Sequence, residues 1–315
     1  MESMTSHDPV PFAPGVRPPR LRDGDVVAVV APSGPVPPDT LEAGVAVLEA
    51  WGVQVRVMPH VLDTHPSLGY LAGTDAARAD DFTAAWADPE VRAVVCARGG
   101  YGAHRMVDLV DWDTLRDAAP KVLVGYSDVT VLHQAVASRL GVVTLHGPMP
   151  GTREFVDSTA MQDHLRATLF EPETVQRLGG PDAHAIVDGT ATGVTTGGCV
   201  SLITTSVATP TLPAARGAIV LLEDIDEKAY RLDSYLTHLR RAGWFDGVAG
   251  IALGSWVGCE IAEPVVADIL GDRGVPILGG VGFGHGPDAP TVPLGAVATI
   301  DTADGSLTFH EPALA

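Results

Sequence analysis

Read by its apolar positions, the first half of the chain alternates between two periods. Asp25–Val30 (DVVAVV) is a short apolar run that predicts a strand, and Ala31–Asp39 (APSGPVPPD) is a Gly/Pro loop after it. Leu41, Val45, Leu48 and Trp51 then recur at helical spacing, and Asp39 followed by Glu42 has the spacing of a capping box. Val53–Met58 returns as a strand. A helix opens at Thr74 or Asp75 and runs to Ala85 or Trp86, Val91–Cys96 is the next strand, and Arg98–Gly102 is a glycine-rich turn into the amphipathic segment Arg105–Val110.

The stretch that organises the rest is Lys121–Leu132 (KVLVGYSDVTVL). Val122–Val124 reads as a buried strand, Gly125 and Tyr126 break it, and Val129, Leu132 and Ala135 recur at helical spacing to about Leu140. Ser127 thus sits on a strand-to-helix corner, where a hydroxyl stands clear of its neighbours and the free N–H groups of the first helical turn face whatever it attacks. The competing reading is that Ser127 or Asp128 caps the helix. Val142–His146 adds one more strand. Repeated β–α–β units predict a parallel sheet covered on both faces, with its ligand site at the carboxyl ends of the strands. Ala31–Gly34, Arg98–Gly102 and Ser127 all fall there.

The pattern changes after Pro150. Ser158–Leu169 predicts a helix, Glu171–Ala185 has little periodicity, and Gly189–Gly198 is rich in Gly, Thr and Ala. Ala218–Leu222 is a strand ending at Glu223, followed by a helix from about Lys228 to Ala242, a strand at Val248–Gly254, a helix over Glu263–Arg273 and a short strand at Pro276–Gly280. Glu227 and Arg231 can pair at i,i+4. Gly282–Gly286 (GFGHG) is a glycine-rich loop carrying His285, and Ala296–Asp301 with Ser306–His310 predicts a closing hairpin. The expected fold class is α/β, with an N-terminal parallel-sheet domain of Rossmann or flavodoxin type followed by a smaller mixed α/β C-terminal domain. The expected division is a loose tail over residues 1–20, a first domain over 21–155, a linker over 156–190 and a second domain over 191–315.

Composition narrows the function. With 315 residues and 46% hydrophobic content the chain can bury a large core. Its 20 Lys+Arg against 39 Asp+Glu give a formal charge of −19, which argues against nucleic acid or an anionic membrane as partner. Cys96, Cys199 and Cys259 lie far apart with no CxxC spacing, so reduced, buried thiols in a cytoplasmic protein are expected. No apolar run is long enough to span a bilayer, and Met1–Arg20 lacks the pattern of a signal peptide.

Several constellations compete for the chemistry. Ser127 needs a base and a carboxylate to orient that base. His285 is chosen because glycines flank it and leave its ring free, with His133 and His146 as competitors. Glu223 is the matching carboxylate because it ends an apolar strand. The acidic run Glu223–Glu227 also admits a magnesium site or a solvated turn, the latter covering Asp226 and Asp224. The GxxxxGK[ST] of a P-loop is absent, and VAVVAPSGP opens the chain like a dinucleotide-binding fold but lacks GxGxxG and an acidic residue at the end of the next strand, so the signal for dinucleotide binding is weak.

Five co-linear blocks carry a resemblance: VAVVAPSGPV, ARGGYGAHRMVDLVD, KVLVGYSDVTVLHQAVASRLGVVTLHGP, LLEDIDEKAYRLDSYLTHLRRAGWFDGVAGIALGSW and GFGHGPDAPTVPLGAVATID. From about Val26 to Asp301 the chain resembles the LD-carboxypeptidase family, serine peptidases that include murein-recycling tetrapeptidases and microcin-immunity peptidases. The resemblance implies Ser127 as nucleophile, Glu223 as orienting acid, His285 as base, and the Gly100 and Asp128 amides as oxyanion hole. Arg98, Gly99 and Tyr101 are candidate substrate contacts, and the Arg240–Arg241 pair a further candidate for the substrate carboxylate. No metal or cofactor is expected. The implied substrate is a cytoplasmic murein tetrapeptide losing its terminal D-Ala, and the implied assembly a homodimer. A peptidyl-nucleotide amide is the alternative substrate, and a non-catalytic ligand-binding protein the alternative class. Two departures stand out. Cys199 occupies a position after Gly-Gly where the family commonly has Asn, and GYSDV lacks the second glycine of the α/β-hydrolase elbow.

Overall fold

The structure, a computed structural model, describes residues 12–315. Strands β1 (Val26–Val30), β2 (Gln54–Val57), β3 (Val91–Cys96), β4 (Val122–Gly125) and β5 (Thr144–His146) form a parallel sheet in the order β5-β4-β3-β1-β2. The helices between and after them are α1 (Pro38–Ala50), α2 (Asp75–Ala87), α3 (Ala103–Met106), α4 (Trp112–Asp117), α5 (Thr130–Leu140), α6 (Arg153–Asp157) and α7 (Thr159–Phe170). Alternate residues of each strand feed different cores. Ala28, Val30, Val94 and Leu123 pack against α2, α4 and α5, while Val27, Val29, Val95 and Val124 pack against α1, α6 and α7. Burial on both faces explains why these strands read as unbroken apolar runs.

The second sheet uses β6 (Arg177–Leu178), β7 (His184–Val187), β8 (Thr190–Cys199), β9 (Ala218–Ile225), β10 (Gly250–Val257) and β11 (Ile277–Gly279). Strand β12 (Val292–Leu294) leaves it to pair antiparallel with β5, and β13 (Val297–Asp301) and β14 (Ser306–Phe309) complete it as the expected hairpin. Its order is β6-β14-β13-β8-β9-β10-β11-β7, parallel from β8 to β11 and antiparallel elsewhere. One face carries Val220, Leu222 and Leu253 under α8 (Val200–Thr205), α9 (Ala229–Arg241) and α10 (Ala262–Leu270). The other face encloses Ile219, Leu221, Leu278, Phe283 and Ile300. The sheet cannot be flat. Eight strands at about 4.8 Å spacing would separate β6 from β7 by roughly 34 Å, whereas the chain from Leu178 to His184 can reach only about 23 Å.

Several expectations change. Helix α1 starts at Pro38 behind Pro37 with no side-chain cap, because proline at the first helical position puts Asp39 inside the helix. The part of the supposed loose tail within the described residues, from Phe12 to Arg20, is hydrogen-bonded to Arg216, Gly295, Gly141 and Ala315; residues 1–11 lie outside the described residues. Within the expected linker over 156–190, residues 177–178 and 184–187 supply the two edge strands of the second sheet, too short to show a period. Strand β12 was hidden by Pro293, which the outer edge of the first sheet tolerates because no neighbour needs its N–H.

Candidate active site

Ser127 follows β4 at the carboxyl end of the first sheet and opens a short 3₁₀ turn, Ser127–Val129, leading into α5. Its backbone is left-handed, with φ 62°. For a residue with a Cβ that conformation costs about 1–2 kcal/mol, and strain of this kind clusters where a side chain must be presented. Ser127 does not cap the helix: among the described residues its hydroxyl makes no hydrogen bond, and neither the turn nor α5 has a side-chain cap. Asp128 does not cap α5 either. Its buried carboxylate accepts the Ala103 N–H at 2.8 Å, which ties the corner to the glycine-rich turn after β3. Burial pushes that carboxyl up from its ordinary value.

The glycine-rich turn lies directly against Ser127. A Cβ on Gly99 would come within 2.9 Å of Ser127 Cβ, so only glycine permits this approach. Gly100 has φ 109°, and the turn is pinned from behind by the Gly34 N–H, which donates to Gly99 O at 3.0 Å. Among the described residues neither the Gly100 N–H nor the Asp128 N–H is engaged in a hydrogen bond. Both remain available beside Ser127.

Glu223 lies in β9, fully buried, in register with Cys199 of β8. Its Oε2 accepts from His285 Nδ1 at 2.6 Å. Assigning the proton to Nδ1 in that contact leaves Nε2 as the free acceptor. Gly284 makes the contact possible: its φ is 100°, and a Cβ there would meet Glu223 Oε2 at 2.5 Å. The His285 ring is held edge-on to Tyr126 at 4.8 Å and lines one cleft with Ser127, Arg98, Gly99 and Gly100. Burial alone would raise the Glu223 carboxyl. The charge of His285 and the facing imidazole of His146 outweigh it and hold Glu223 well below the usual carboxylate range. Burial likewise opposes protonation of His285, but the Glu223 charge wins and raises it.

The structure therefore brings together Ser127, Glu223, His285, Gly100 and Asp128, with Arg98 and Gly99 in the same cleft. Arg98 donates to Pro35 O at 2.9 Å. Tyr101 stands outside the lining of that cleft, exposed and edge-on to Tyr70 at 6.0 Å. Arg240 is engaged elsewhere, on Asp272 at 2.7 Å. His133 is a core histidine with both ring nitrogens bound, to Thr144 Oγ1 and Gly125 O, each at 2.8 Å, and burial lowers it to about 3. The acidic run does not converge on one point. Asp224, expected in a solvated turn, is buried and accepts the Ser201 N–H at 2.8 Å, because Cys199 and Ser201 cover it. Glu227 pairs with Arg231 at 2.6 Å, as the spacing predicts. Cys199 is occupied by Asp224 at 3.2 Å and lies outside the lining of the cleft. All three cysteines are free, two of them buried.

Met149, Thr152 and Glu154 also line the cleft and were not foreseen. The available signal was Thr152, the N-cap of α6 just beyond a strand end.

A hydroxyl on a strained corner, beside a carboxylate-held imidazole and two free amides, is the equipment of a serine hydrolase. The chain belongs to the LD-carboxypeptidase family: residues 27–147 match the LD-carboxypeptidase N-terminal domain and residues 192–300 the C-terminal domain. It is accordingly a serine peptidase. It is 54% identical over 305 residues to a carboxypeptidase-named protein of Streptomyces coelicolor, covering 95% of this chain and 97% of that one. It is 32% identical over 293 residues to the murein tetrapeptide carboxypeptidase of Pseudomonas aeruginosa, covering 87% and 92%. The crystal structure of an MccF-like protein from Bacillus anthracis superposes with a TM-score of 0.82 at 25% identity, covering 93% of this chain and 98% of that one. Among the described residues no helix is long and apolar enough to cross a membrane.

Proposed function

We propose that the protein is an LD-carboxypeptidase that hydrolyses murein tetrapeptides and releases their terminal D-Ala through a Ser127–Glu223–His285 triad. The observation that carries this reading is the 2.6 Å contact between buried Glu223 and His285, on the cleft that Ser127 enters from a left-handed corner. His285 Nε2 takes the Ser127 proton as Oγ attacks the amide carbonyl, and Glu223 stabilises the imidazolium. The Gly100 and Asp128 N–H groups hold the oxyanion. His285 then gives its proton to the leaving D-Ala amine, and water attacks the acyl-enzyme on Ser127 with His285 again as base. Arg98 is the cation of the cleft suited to the substrate carboxylate. Identity to the Pseudomonas aeruginosa enzyme across most of both chains supports the substrate class. A cytoplasmic location, where recycled murein peptides are met, and a homodimer belong to the same reading.

Purified protein incubated with a murein tetrapeptide should release D-Ala. Ser127→Ala should release none detectable while its circular dichroism and unfolding midpoint stay those of the parent. Turnover by a folded Ser127→Ala protein refutes the assignment. The likeness to the MccF-like structure favours a second reading, cleavage of a peptidyl-nucleotide amide by the same triad. Turnover of that amide, with no D-Ala released from the tetrapeptide, would select it.

A further inference from the structure

Glu223 has two oxygens, and the triad uses one. Oε2 receives His285 Nδ1 at 2.6 Å, whereas Oε1 is buried and, among the described residues, has no hydrogen-bond partner. It faces His146 Nε2 at 3.6 Å, an atom that is itself buried and unpartnered. Two unpartnered polar atoms buried side by side are each other's means of satisfaction.

From this geometry we infer that His146 is a positioning residue for Glu223, its Nε2–H closing from 3.6 Å to hydrogen-bond distance of Oε1 in the working site and completing a buried His146–Glu223–His285 line. The inference rests on the proposed triad. Each side of the contact is fixed. His146 ends β5 in register with Val292 of β12, and its ring is enclosed by Phe283, edge-on at 6.0 Å, by Tyr126 at 6.0 Å and by His133 at 6.2 Å. His133 cannot compete for Glu223, because both its nitrogens are bound and burial keeps it neutral. The other ionisable neighbours of the line are Asp224, held by Ser201 and Cys199, the Cys199 thiol, the Tyr126 phenol, and Glu154 on the His285 side. None offers Oε1 a donor. A carboxylate gripped at both oxygens cannot turn about its last bond, so Oε2 stays in line with Nδ1 when His285 takes up the Ser127 proton. No proton leaves His146 in this role.

The test reads acylation of Ser127 by a fluorophosphonate, which does not depend on the natural substrate. His146→Phe keeps the ring shape and removes the donor; it should lower kinact by about 10–100-fold, the scale of one hydrogen bond to a charged group, with KI unchanged. His146→Gln, which keeps an N–H donor, should retain most of the parent kinact. In a Glu223→Gln background His146→Phe should add little, since both changes act through one carboxylate. Unfolding midpoints confirm that the variants fold, and His146→Met replaces the Phe variant should that one not fold. A parent-like kinact in His146→Phe overturns the proposal, as do equal losses in the Phe and Gln variants, or an undiminished Phe effect in the Glu223→Gln background. Failure of the parent to label at Ser127 overturns the triad on which this proposal rests, whereas the variant outcomes above overturn this proposal alone.

Discussion

Glu223→Gln is the most exacting test of the site, because it is nearly isosteric and removes one charge. The group is fully buried, and its oxygen lies 2.6 Å from His285 Nδ1, placing the charge centres of carboxylate and imidazolium about 4 Å apart. At an effective dielectric near 20 such a pair is worth roughly 4 kcal/mol, and in the proposed mechanism a neutral His285 gains this attraction only on accepting the Ser127 proton. A loss of roughly 4 kcal/mol specific to the transition state is a fall in kcat of about a thousandfold. The Asp-to-Asn change in the chymotrypsin triad costs about 10⁴, because the amide N–H can donate to Nδ1 and so stabilise the wrong tautomer. The expected fall here is therefore about 10³–10⁴ in kcat with KM little changed. The pH profile supplies an independent sign. Glu223 raises His285, so its loss lowers that value, and the acid limb of kcat/KM moves to lower pH while the plateau drops. The assay is D-Ala release across the pH range, with unfolding midpoints as control. A loss under about tenfold, or an acid limb that stays in place, would refute the reasoning that Glu223 acts through His285.

The same pair makes activity and stability pull apart with pH. His285 is raised from 6.5, so its contribution to stability is complete below that value and fades as pH rises through the folded value; Glu223 is lowered from 4.5, so its contribution is present above that value and fades as pH falls through the folded one. Thermal midpoints of parent minus Glu223→Gln should therefore differ most between these two values, whereas activity, which needs neutral His285, should still be rising there; a difference that is flat with pH would contradict this. Gly284→Ala places a Cβ 2.5 Å from Glu223 Oε2 at φ 100° and should cost about 1–3 kcal/mol of stability together with most activity. Gly24→Ala, at φ 85° with nothing within 4 Å, pays only the backbone strain and should keep full activity. Equal activities in the two variants would show that the Gly284 loop does not hold the acid in place.

What the chain discloses on its own follows from how locally each feature is encoded. The Ser127 corner is readable because a three-valine-class run, a break and a helical stripe are contiguous, and both faces of the sheet are buried, which leaves the run unbroken. Glu223 is readable as the polar end of Ala218–Leu222, and His285 through its flanking glycines, one of which proves to be the place where the carboxylate sits. Long-range pairing is not readable. Strands of two and four residues at Arg177–Leu178 and His184–Val187 exist because β14 and β11 offer them edges, not because their own residues demand it. Asp224 lay in a run that looks solvated, yet it is buried where Cys199 and Ser201 meet it. His146 stood as a rival base for Ser127, and only the pairing of β5 with β12 and the packing of the two sheets set its Nε2 3.6 Å from Glu223 Oε1. Glu154 and Thr152 reach the cleft through the packing of α6 on α1, a contact with no local trace.

Ser127, the proposed nucleophile, follows a strand of the first sheet and Glu223 lies in the second, so their alignment depends on what fastens those sheets. Helix α5, which begins three residues after Ser127, provides the direct link. Thr130 Oγ1 accepts the Cys199 N–H at 3.1 Å and Gln134 Nε2 donates to Gly197 O at 2.8 Å. That approach requires Gly198, at φ 126°, where a Cβ would meet Thr130 Oγ1 at 2.6 Å. Cys199 is in turn the register partner of Glu223. The path from Ser127 to the carboxylate is thus one helical turn, one hydrogen bond and one strand pairing, all buried. Strand β12 closes the circuit from the other side, since it follows the His285 loop and pairs with β5 at His146. With Glu223 braced between these two connections, the Glu223–His285 pair stands ready for the role proposed for it. In the proposed mechanism the remaining step is the approach of Ser127 Oγ to His285 Nε2, a contact of the kind that often tightens only in the bound complex.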